Sequence, residues 1–223
     1  MNDPMVIGLT GGIGMGKTTV AKFLRRLGFP VFSADKAVHE VLKRGGAAFV
    51  PVAKAFPETL KRGRINRELL GQAVFGNPRK LGRLEDITHP LVKIAEDAFL
   101  QEARKAKACA VVLEIPLLFE TKAERRCDIT LCVSAPFRVQ RARVLPRKNM
   151  NEKKFYGILA RQKSDAEKCK LADYVIPTGT SPAETKEYIR ALFHELGLLG
   201  EKGQPRRNSA RIRRSRGLMK TAS

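Results

Sequence analysis

Short apolar runs recur along the chain, and stretches with helical spacing follow them. The runs that have the length and composition of strands are 6–9, 30–32, 110–113, 129–133 and 174–176. Runs this short, bounded by turn residues, are typical of buried strands. Five short strands alternating with helices predict a three-layer α/β fold, with a parallel five-stranded sheet and helices on both faces.

Several helices are indicated by apolar residues three or four positions apart. After the first run, a helix is predicted through Val20 and Leu27, with Gly28 placed where a helix would end. Near the other end of the chain, residues 181–184 (Ser-Pro-Ala-Glu) have capping-box spacing, with proline in the first turn. They predict a last helix that runs to about Leu196.

The stretch 47–107 is too long for a simple connection between two strands. It is mostly helical in pattern, with predicted breaks at Pro57, Gly63, 76–78 and the His89-Pro90 pair. We expect it to form an inserted cap over a second substrate. The sheet, its helices and this cap predict one domain over residues 1–200.

The net charge of +21 is large, and part of it lies in the last 23 residues, where eight lysines and arginines face one acid, Glu201. Residues 201–223 are polar and lack sustained apolar periodicity, so we predict a disordered basic tail. Such a tail is either a solvated extension or an arm that binds RNA or a membrane surface, and the solvated extension is favoured. The charge on the rest of the chain fits a protein that attracts polyanionic small molecules.

The four cysteines show no Cys-x-x-Cys spacing, and Cys132 lies in an apolar run. This favours a reducing cytoplasm over a disulfide scaffold or a zinc site. No run of about 18 apolar residues exists, and the first residues lack the pattern of a signal peptide. The sequence therefore predicts a cytoplasmic protein, with a monomer favoured and no membrane partner.

The stretch GLTGGIGMGKTT, residues 8–19, follows the first predicted strand and precedes the first predicted helix. Its spacing Gly11-x4-Gly16-Lys17-Thr18 matches the P-loop, in which glycines let backbone N–H groups surround a phosphate. Lys17 would supply charge to the β- and γ-phosphates, and the Thr18 hydroxyl a ligand for Mg²⁺. The predicted ATP-binding residues are Gly11, Gly12, Ile13, Gly14, Met15, Gly16, Lys17, Thr18 and Thr19.

Two carboxylates follow predicted strands, and the carboxyl ends of parallel strands form the ligand-binding edge of such sheets. Asp35 could orient an acceptor hydroxyl and take its proton, or cap a helix, and the two roles are compatible. Glu114 could approach the Mg²⁺ shell or pair with a nearby base. The sequence leaves these alternatives open.

Eight basic residues crowd 138–161. They predict a lid over about 138–163 whose arginines neutralise the transferring phosphoryl group, although some must form a solvated helical face. Arg141 and Arg147 are the candidates, because they bracket the expected end of a helix. His89, judged alone, is more often structural than functional.

Taken together, these motifs resemble the dephospho-CoA kinase family. The resemblance covers about residues 5–195 and rests on stretches that lie far apart: the P-loop start, 34–35, 88–90 (Thr-His-Pro), 114–120 (Glu-Ile-Pro-Leu-Leu-Phe-Glu), 127–128, 161–162 and 172–176. It implies a P-loop fold with a helical CoA-binding insertion and a lid. It also implies transfer of the ATP γ-phosphate to the 3′-hydroxyl of dephospho-CoA, with Asp35 as base and His89 and Leu117 near the acceptor.

The chain departs from the family pattern at several positions. Ser33 replaces the first aspartate of a frequent Asp-x-Asp pair, Met15 replaces a serine, and His39 stands where arginine is frequent. An asparagine expected after the last strand is missing, and residues 177–179 stand there. Lys17, Thr18 and Asp35 are all retained.

Two other functions fit parts of the pattern. A nucleoside or nucleoside-monophosphate kinase would share the P-loop and the basic lid. A nucleic-acid-binding NTPase would use the positive charge, but aromatic residues make up only 6% and tryptophan is absent. The composition therefore disfavours nucleic acid as a partner.

Overall fold

A computed structural model describes residues 3–201 and 203–206 of the 223-residue chain. The strands are β1 (Met5–Thr10), β2 (Val31–Ser33), β3 (Leu60–Lys61), β4 (Arg64–Ile65), β5 (Ala110–Glu114), β6 (Ile129–Ser134) and β7 (Tyr174–Pro177). The helices are α1 (Lys17–Arg26), α2 (Ala34–Leu42), α3 (Phe49–Ala55), α4 (Arg67–Val74), α5 (Pro78–Lys105), α6 (Phe137–Val144), α7 (Glu152–Leu159), α8 (Asp165–Leu171) and α9 (Pro182–Glu195). Short 3₁₀ helices cover Pro57–Thr59 and Ala123–Arg126.

The main sheet has five strands in the order β2-β5-β1-β6-β7. The central strand β1 pairs in parallel with β5 and β6, and β6 pairs in parallel with β7. All five residues of β5 are buried, as expected for a strand covered on both faces. The predicted α/β class and its five-stranded parallel sheet are thus confirmed.

Helices α1 and α9 contribute to the core around this sheet. Helix α1 buries Val20 and Leu24 among strand residues such as Ile7 and Leu131. The predicted capping box of α9 is present, with Ser181 accepting from the Glu184 amide and the Glu184 carboxylate accepting from the Ser181 amide. Burial of these apolar faces, at about 25 cal/mol per Å² of apolar surface, is the main stabilising contribution.

The chain divides into two compact units. The first combines Met1–Phe32 with the chain from Ala103 onward, and the second is Ser33–Glu102. The second unit contains α2, α3, α4, most of α5 and the β3–β4 hairpin, so it begins earlier than the predicted insertion over 47–107. It has its own core of Leu42, Ala48, Val52, Phe56, Leu70 and Val74.

The predicted break at His89-Pro90 is wrong, because α5 runs without interruption from Pro78 to Lys105. A proline inside a helix removes one backbone hydrogen bond, here the bond to the Asp86 carbonyl. Pro90 and Asp86 are both exposed, so water can replace the missing donor.

Two elements were not predicted from the sequence. The β3–β4 hairpin turns at Arg62 and Gly63, which both have positive φ, as tight hairpin turns require. Helix α8 begins at a capping box between Ser164 and Glu167. Its seven residues are too few to show clear apolar periodicity.

The start of the predicted tail is described in part. Pro205 forms an isolated bridge with Leu199, and the Arg206 amide donates to the Leu198 carbonyl at 3.0 Å. Hydrogen-bonded backbone therefore extends past the predicted tail boundary at 201. Lys202 and residues 207–223 lie outside the described residues, so the predicted disorder there stays a prediction. Among the described residues, no helix combines the length and hydrophobicity that a membrane crossing requires.

Candidate active site

The glycine-rich loop between β1 and α1 has a backbone that side chains would obstruct. Gly11 has φ 143°, and a Cβ placed on it would lie 2.5 Å from both the carbonyl oxygen and Cγ2 of Val133. Gly14 has φ 78°, and its Cβ would lie 2.5 Å from Cγ2 of Val144. Only glycine fits this path without displacing its neighbours. The loop leads into the ten-residue helix α1, whose first N–H groups favour anions.

Lys17 is the first residue of α1, and its ammonium bends back to the loop. Nζ donates to the carbonyl oxygen of Gly11 at 2.5 Å and to that of Gly12 at 3.3 Å. These two bonds hold a positive charge beside the loop, where a phosphate group would need it. The predicted position of Lys17 in the loop agrees with this geometry, and its role in catalysis stays a prediction.

Thr18 and Glu114, the two predicted metal ligands, lie together. The Thr18 hydroxyl donates to Oε1 of Glu114 at 3.5 Å. Glu114 ends β5, which pairs with β1, and it is only 6% exposed. A buried carboxylate next to a hydroxyl is a pair of hard oxygen donors, the chemistry that Mg²⁺ prefers.

Three polar side chains that the sequence analysis did not predict as site residues support the loop. Gln140 of α6 donates from Nε2 to the Ile13 carbonyl at 2.8 Å, and Oε1 of Gln162 accepts from the Ile13 amide at 3.3 Å. Thr178 donates from Oγ1 to the Met15 carbonyl at 2.7 Å. These contacts fix both edges of the loop. The one signal in the sequence that could have indicated this support was a polar residue, Gln140, in the middle of a short helix.

The arginine candidates lie on and just beyond α6. Arg141 forms an ion pair with Glu152 at the start of α7, and the hydrogen bond and charge of Glu152 raise the pKa of Arg141. Arg147 donates from Nε to the Arg143 carbonyl at 3.2 Å. Arg143, which was not a candidate, donates to the Thr178 carbonyl at 2.6 Å and so links α6 to a residue that holds the loop.

A buried ion pair anchors the segment after β5. Lys168 of α8 is 0% exposed and its Nζ lies 2.9 Å from Oε1 of Glu120, with a further bond to the Pro116 carbonyl at 2.8 Å. Burial raises the pKa of Glu120, but the hydrogen bonds from Lys168 and from the Lys163 amide outweigh it, and the net shift is downward. The half-buried Leu117 lies within this anchored segment.

The comparisons with known proteins agree with this geometry. The model of the dephospho-CoA kinase family matches residues 5–184. The chain belongs to the dephospho-CoA kinase family. A curated relative from Brucella melitensis named dephospho-CoA kinase is 45% identical over 197 residues, covering 88% of this chain and 96% of the relative.

Solved structures with the same fold include a dephospho-CoA kinase from Campylobacter jejuni, with TM-score 0.59, 25% identity and coverage of 87% of this chain and 98% of that one. TT1252 from Thermus thermophilus reaches TM-score 0.75 at 35% identity, covering 87% of this chain and 99% of that one. Membership of the dephospho-CoA kinase family makes this chain an ATP-dependent phosphotransferase, as the sequence predicted.

Two of the three candidates for the acceptor side, Asp35 and His89, belong to the second compact unit, whereas Leu117 belongs to the first. Asp35 is exposed in the first turn of α2, two residues after β2. His89 is exposed in the middle of α5, whereas the neighbouring Thr88 is buried and donates to the Leu84 carbonyl at 2.9 Å. In the first unit the structure brings together Lys17, Thr18 and Glu114. The roles of Asp35 and His89 toward an acceptor stay predictions.

Proposed function

We propose that this protein transfers the γ-phosphoryl group of ATP to the ribose 3′-hydroxyl of dephospho-CoA, giving CoA and ADP. The observation that carries the proposal is the P-loop of Gly11, Gly14 and Lys17, positioned beside the Thr18–Glu114 pair, in a chain of the dephospho-CoA kinase family.

The ATP phosphates are proposed to bind the N–H groups of residues 11–19. The positive φ values of Gly11, Gly14 and Gly16 support this, because they allow successive N–H groups to converge on one anion. The ammonium of Lys17, held at the Gly11 and Gly12 carbonyls, would stabilise the negative charge of the β- and γ-phosphates.

The Thr18 hydroxyl and the Glu114 carboxylate fit a magnesium ion, since both are hard oxygen donors and Glu114 is a buried anion. Thr18 would bind the ion directly, and Glu114 would bind it or hold its waters. When bound, Mg²⁺ neutralises charge on the β- and γ-phosphates.

Asp35 is proposed to act as the general base. The 3′-hydroxyl oxygen forms a bond to the γ-phosphorus while the bond from that phosphorus to the β–γ bridging oxygen breaks. The hydroxyl proton passes to the Asp35 carboxylate, and ADP leaves. Two facts support Asp35: it is exposed, and it follows a strand of the sheet by two residues.

The remaining roles rest on the basic cluster at 138–161 for the lid and on the family resemblance for the acceptor side. Arg141 and Arg147 would neutralise the transferring group from a lid that excludes water, and His89 and Leu117 would contact the acceptor. For Arg141 this requires the guanidinium to leave Glu152, an exposed pair that costs little to break.

A coupled assay tests the function. The purified full chain, ATP and Mg²⁺ should release ADP and form CoA in a one-to-one ratio when dephospho-CoA is present. Adenosine, AMP, CMP and shikimate serve as alternative acceptors at the same concentration. The proposal is wrong if dephospho-CoA is not phosphorylated while one of the other acceptors is.

We further propose that the protein works as a monomer in the cytoplasm, where ATP is available. Its four cysteines are free, as suits a reducing compartment. Light scattering at assay concentration should report the mass of one chain, and the mass of two chains would contradict the monomer.

A further inference from the structure

Three side chains that the phosphoryl-transfer site does not use converge between β6 and α8. They are Cys132 of β6 and Asp165 and Cys169 of α8, and one ligand atom from each lies within 4.8 Å of the others. The two sulfur atoms are 4.0 Å apart, and Sγ of Cys169 lies 3.9 Å from Oδ2 of Asp165. Cys132 is 0% exposed, whereas Asp165 and Cys169 are half-buried and can be reached from solvent.

These separations match the edges of a metal-centred tetrahedron. With zinc–sulfur bonds of about 2.3 Å and zinc–oxygen bonds of about 2.0 Å, tetrahedral angles place two sulfurs roughly 3.8 Å apart and sulfur and oxygen roughly 3.5 Å apart. The two separations that involve Cys169 exceed these values by only a few tenths of an ångström, and the third pair, Cys132 and Asp165, lies within 4.8 Å. A disulfide would instead require the sulfurs to close to about 2.05 Å. The side chains are therefore arranged more closely for a cation than for a covalent link.

Asp165 provides a second, independent observation. Its Oδ2 accepts a hydrogen bond from the Ser134 hydroxyl at 2.5 Å, which fixes the orientation of the carboxylate. Its Oδ1 is buried and has no hydrogen-bond partner. A buried carboxylate oxygen without a partner is costly. A cation bound by the carboxylate would offset this cost if Oδ1 took part in the binding, while the Ser134 hydrogen bond to Oδ2 kept the carboxylate oriented.

The spacing of the cysteines along the chain disfavoured a zinc site, but the fold brings together two cysteines that lie 37 residues apart. We propose that Cys132, Asp165 and Cys169 bind one thiophilic divalent cation of the Zn²⁺ type. Binding converts both thiols to thiolates and releases two protons to the buffer, and a water molecule completes the fourth position. The site differs in chemistry from the Thr18–Glu114 pair, because it contains two sulfur ligands that Mg²⁺ does not favour. The proposal does not depend on the proposed function.

The cation would cross-link β6 to α8, two elements adjacent to the P-loop supports. Val133, the residue after Cys132, packs so closely on Gly11 that a Cβ there would lie 2.5 Å from it. Gln162 precedes α8 by a short turn and accepts a hydrogen bond from the Ile13 amide. We expect the site to stabilise this part of the fold.

Cobalt titration of the full chain tests the proposal. The protein is reduced, freed of metal and titrated with Co²⁺ in the absence of nucleotide. One Co²⁺ per chain should bind and produce sulfur-to-cobalt charge-transfer absorption, which Zn²⁺ then displaces. Cys169→Ala and Asp165→Asn should each weaken binding at least tenfold, whereas Cys109→Ala, which removes a thiol elsewhere, should leave it unchanged.

A stability measurement guards against variants that fold poorly. Circular dichroism should show a native fold for Cys169→Ala, because Cys169 is half-buried, and Zn²⁺ should raise the Tm of the unsubstituted protein but not of this variant. Absence of one-to-one binding by the reduced protein would overturn the proposal, and so would sulfur-type absorption that survives in Cys169→Ala. If the reduced protein binds no metal and mass spectrometry shows that the chain loses two hydrogens in air, Cys132 and Cys169 form a disulfide and the pair is a redox site instead.

Discussion

Glycine at position 14 of the P-loop has two physical reasons, a positive φ and the lack of space for a Cβ. Comparing Gly14→Ala with Gly76→Ala separates them. Gly14 and Gly76 have almost the same positive φ, 78° and 77°. A Cβ on Gly14 would lie 2.5 Å from Cγ2 of the buried Val144 and 3.1 Å from the Gln140 carbonyl, whereas a Cβ on Gly76 would meet nothing within 4 Å. The two substitutions share the dihedral cost and differ in steric crowding.

The dihedral cost of alanine in the left-handed region is about 1–2 kcal/mol for either variant. The loss of unfolded-chain entropy, about 0.4–1 kcal/mol in the opposite direction, is also common to both and cancels in the comparison. Crowding in a packed site costs typically 1–3 kcal/mol. Gly14→Ala should therefore lower the free energy of unfolding by about 1–3 kcal/mol more than Gly76→Ala, unless the loop moves away from Val144.

Movement of the loop would lower the affinity for ATP, which is measured separately from stability. Urea unfolding of both variants gives the stability difference, and calorimetric titration with ATP gives the affinity. If the loop shifts, Gly14→Ala keeps its stability but loses at least about tenfold in ATP affinity, equivalent to about 1.4 kcal/mol. Gly76→Ala should bind ATP like the unsubstituted protein. Equal stability of the two variants, together with unchanged ATP affinity in both, would refute the crowding argument.

Three further substitutions test the site and its support. Lys17→Ala should reduce turnover by at least about 10², because it removes the charge beside the β- and γ-phosphates, while circular dichroism stays native; near-normal turnover would exclude that role. Asp35→Asn should lower kcat by about 10²–10⁴ with ATP affinity retained, and Asp86→Asn, an exposed acid on α5, is the control; a kcat within about threefold of normal would remove the base role. Glu120 has a lowered pKa in the folded state, so its ionised form adds stability that is present above about pH 4.3 and is lost as the pH falls further. Urea unfolding from pH 7 to pH 3 should show the stability gap between the unsubstituted protein and Glu120→Gln narrowing below that pH, and a gap that does not change with pH would contradict the Glu120–Lys168 assignment.

Local patterns were sufficient to predict the sheet and the loop. Each strand of the main sheet contains a short, mostly apolar run, and the P-loop is a contiguous motif whose glycines have a conformational reason that can be stated from the sequence. For Thr18 and Glu114 the sequence predicted only a common edge of the sheet, because the carboxyl ends of parallel strands lie together. That β1 and β5 are neighbours, which brings the two side chains into contact, is shown by the structure.

The supports of the loop could not be predicted in the same way, because they depend on contacts between distant parts of the chain. Gln140 reaches Ile13 across 127 residues, and Thr178 reaches Met15 across 163. Neither residue forms part of a motif, and each becomes informative only when its partner atom is known. Helix α8 could not be interpreted from the sequence for the same reason. Its Lys168 pairs with Glu120 and its Cys169 contacts Cys132, and both partners lie on other elements.

The same contrast bears on how substitutions in the family should be read. Met15 stands where serine is frequent, yet the structure uses its backbone carbonyl as the acceptor for Thr178 and buries its side chain in the core. A serine would present the same carbonyl to Thr178 but would leave the apolar volume of Met15 unfilled. The side chain of Met15 and the hydroxyl of Thr178 therefore support the loop independently. Exchanging Met15 for serine should cost stability, because the apolar volume is lost, before it affects the phosphate-binding backbone.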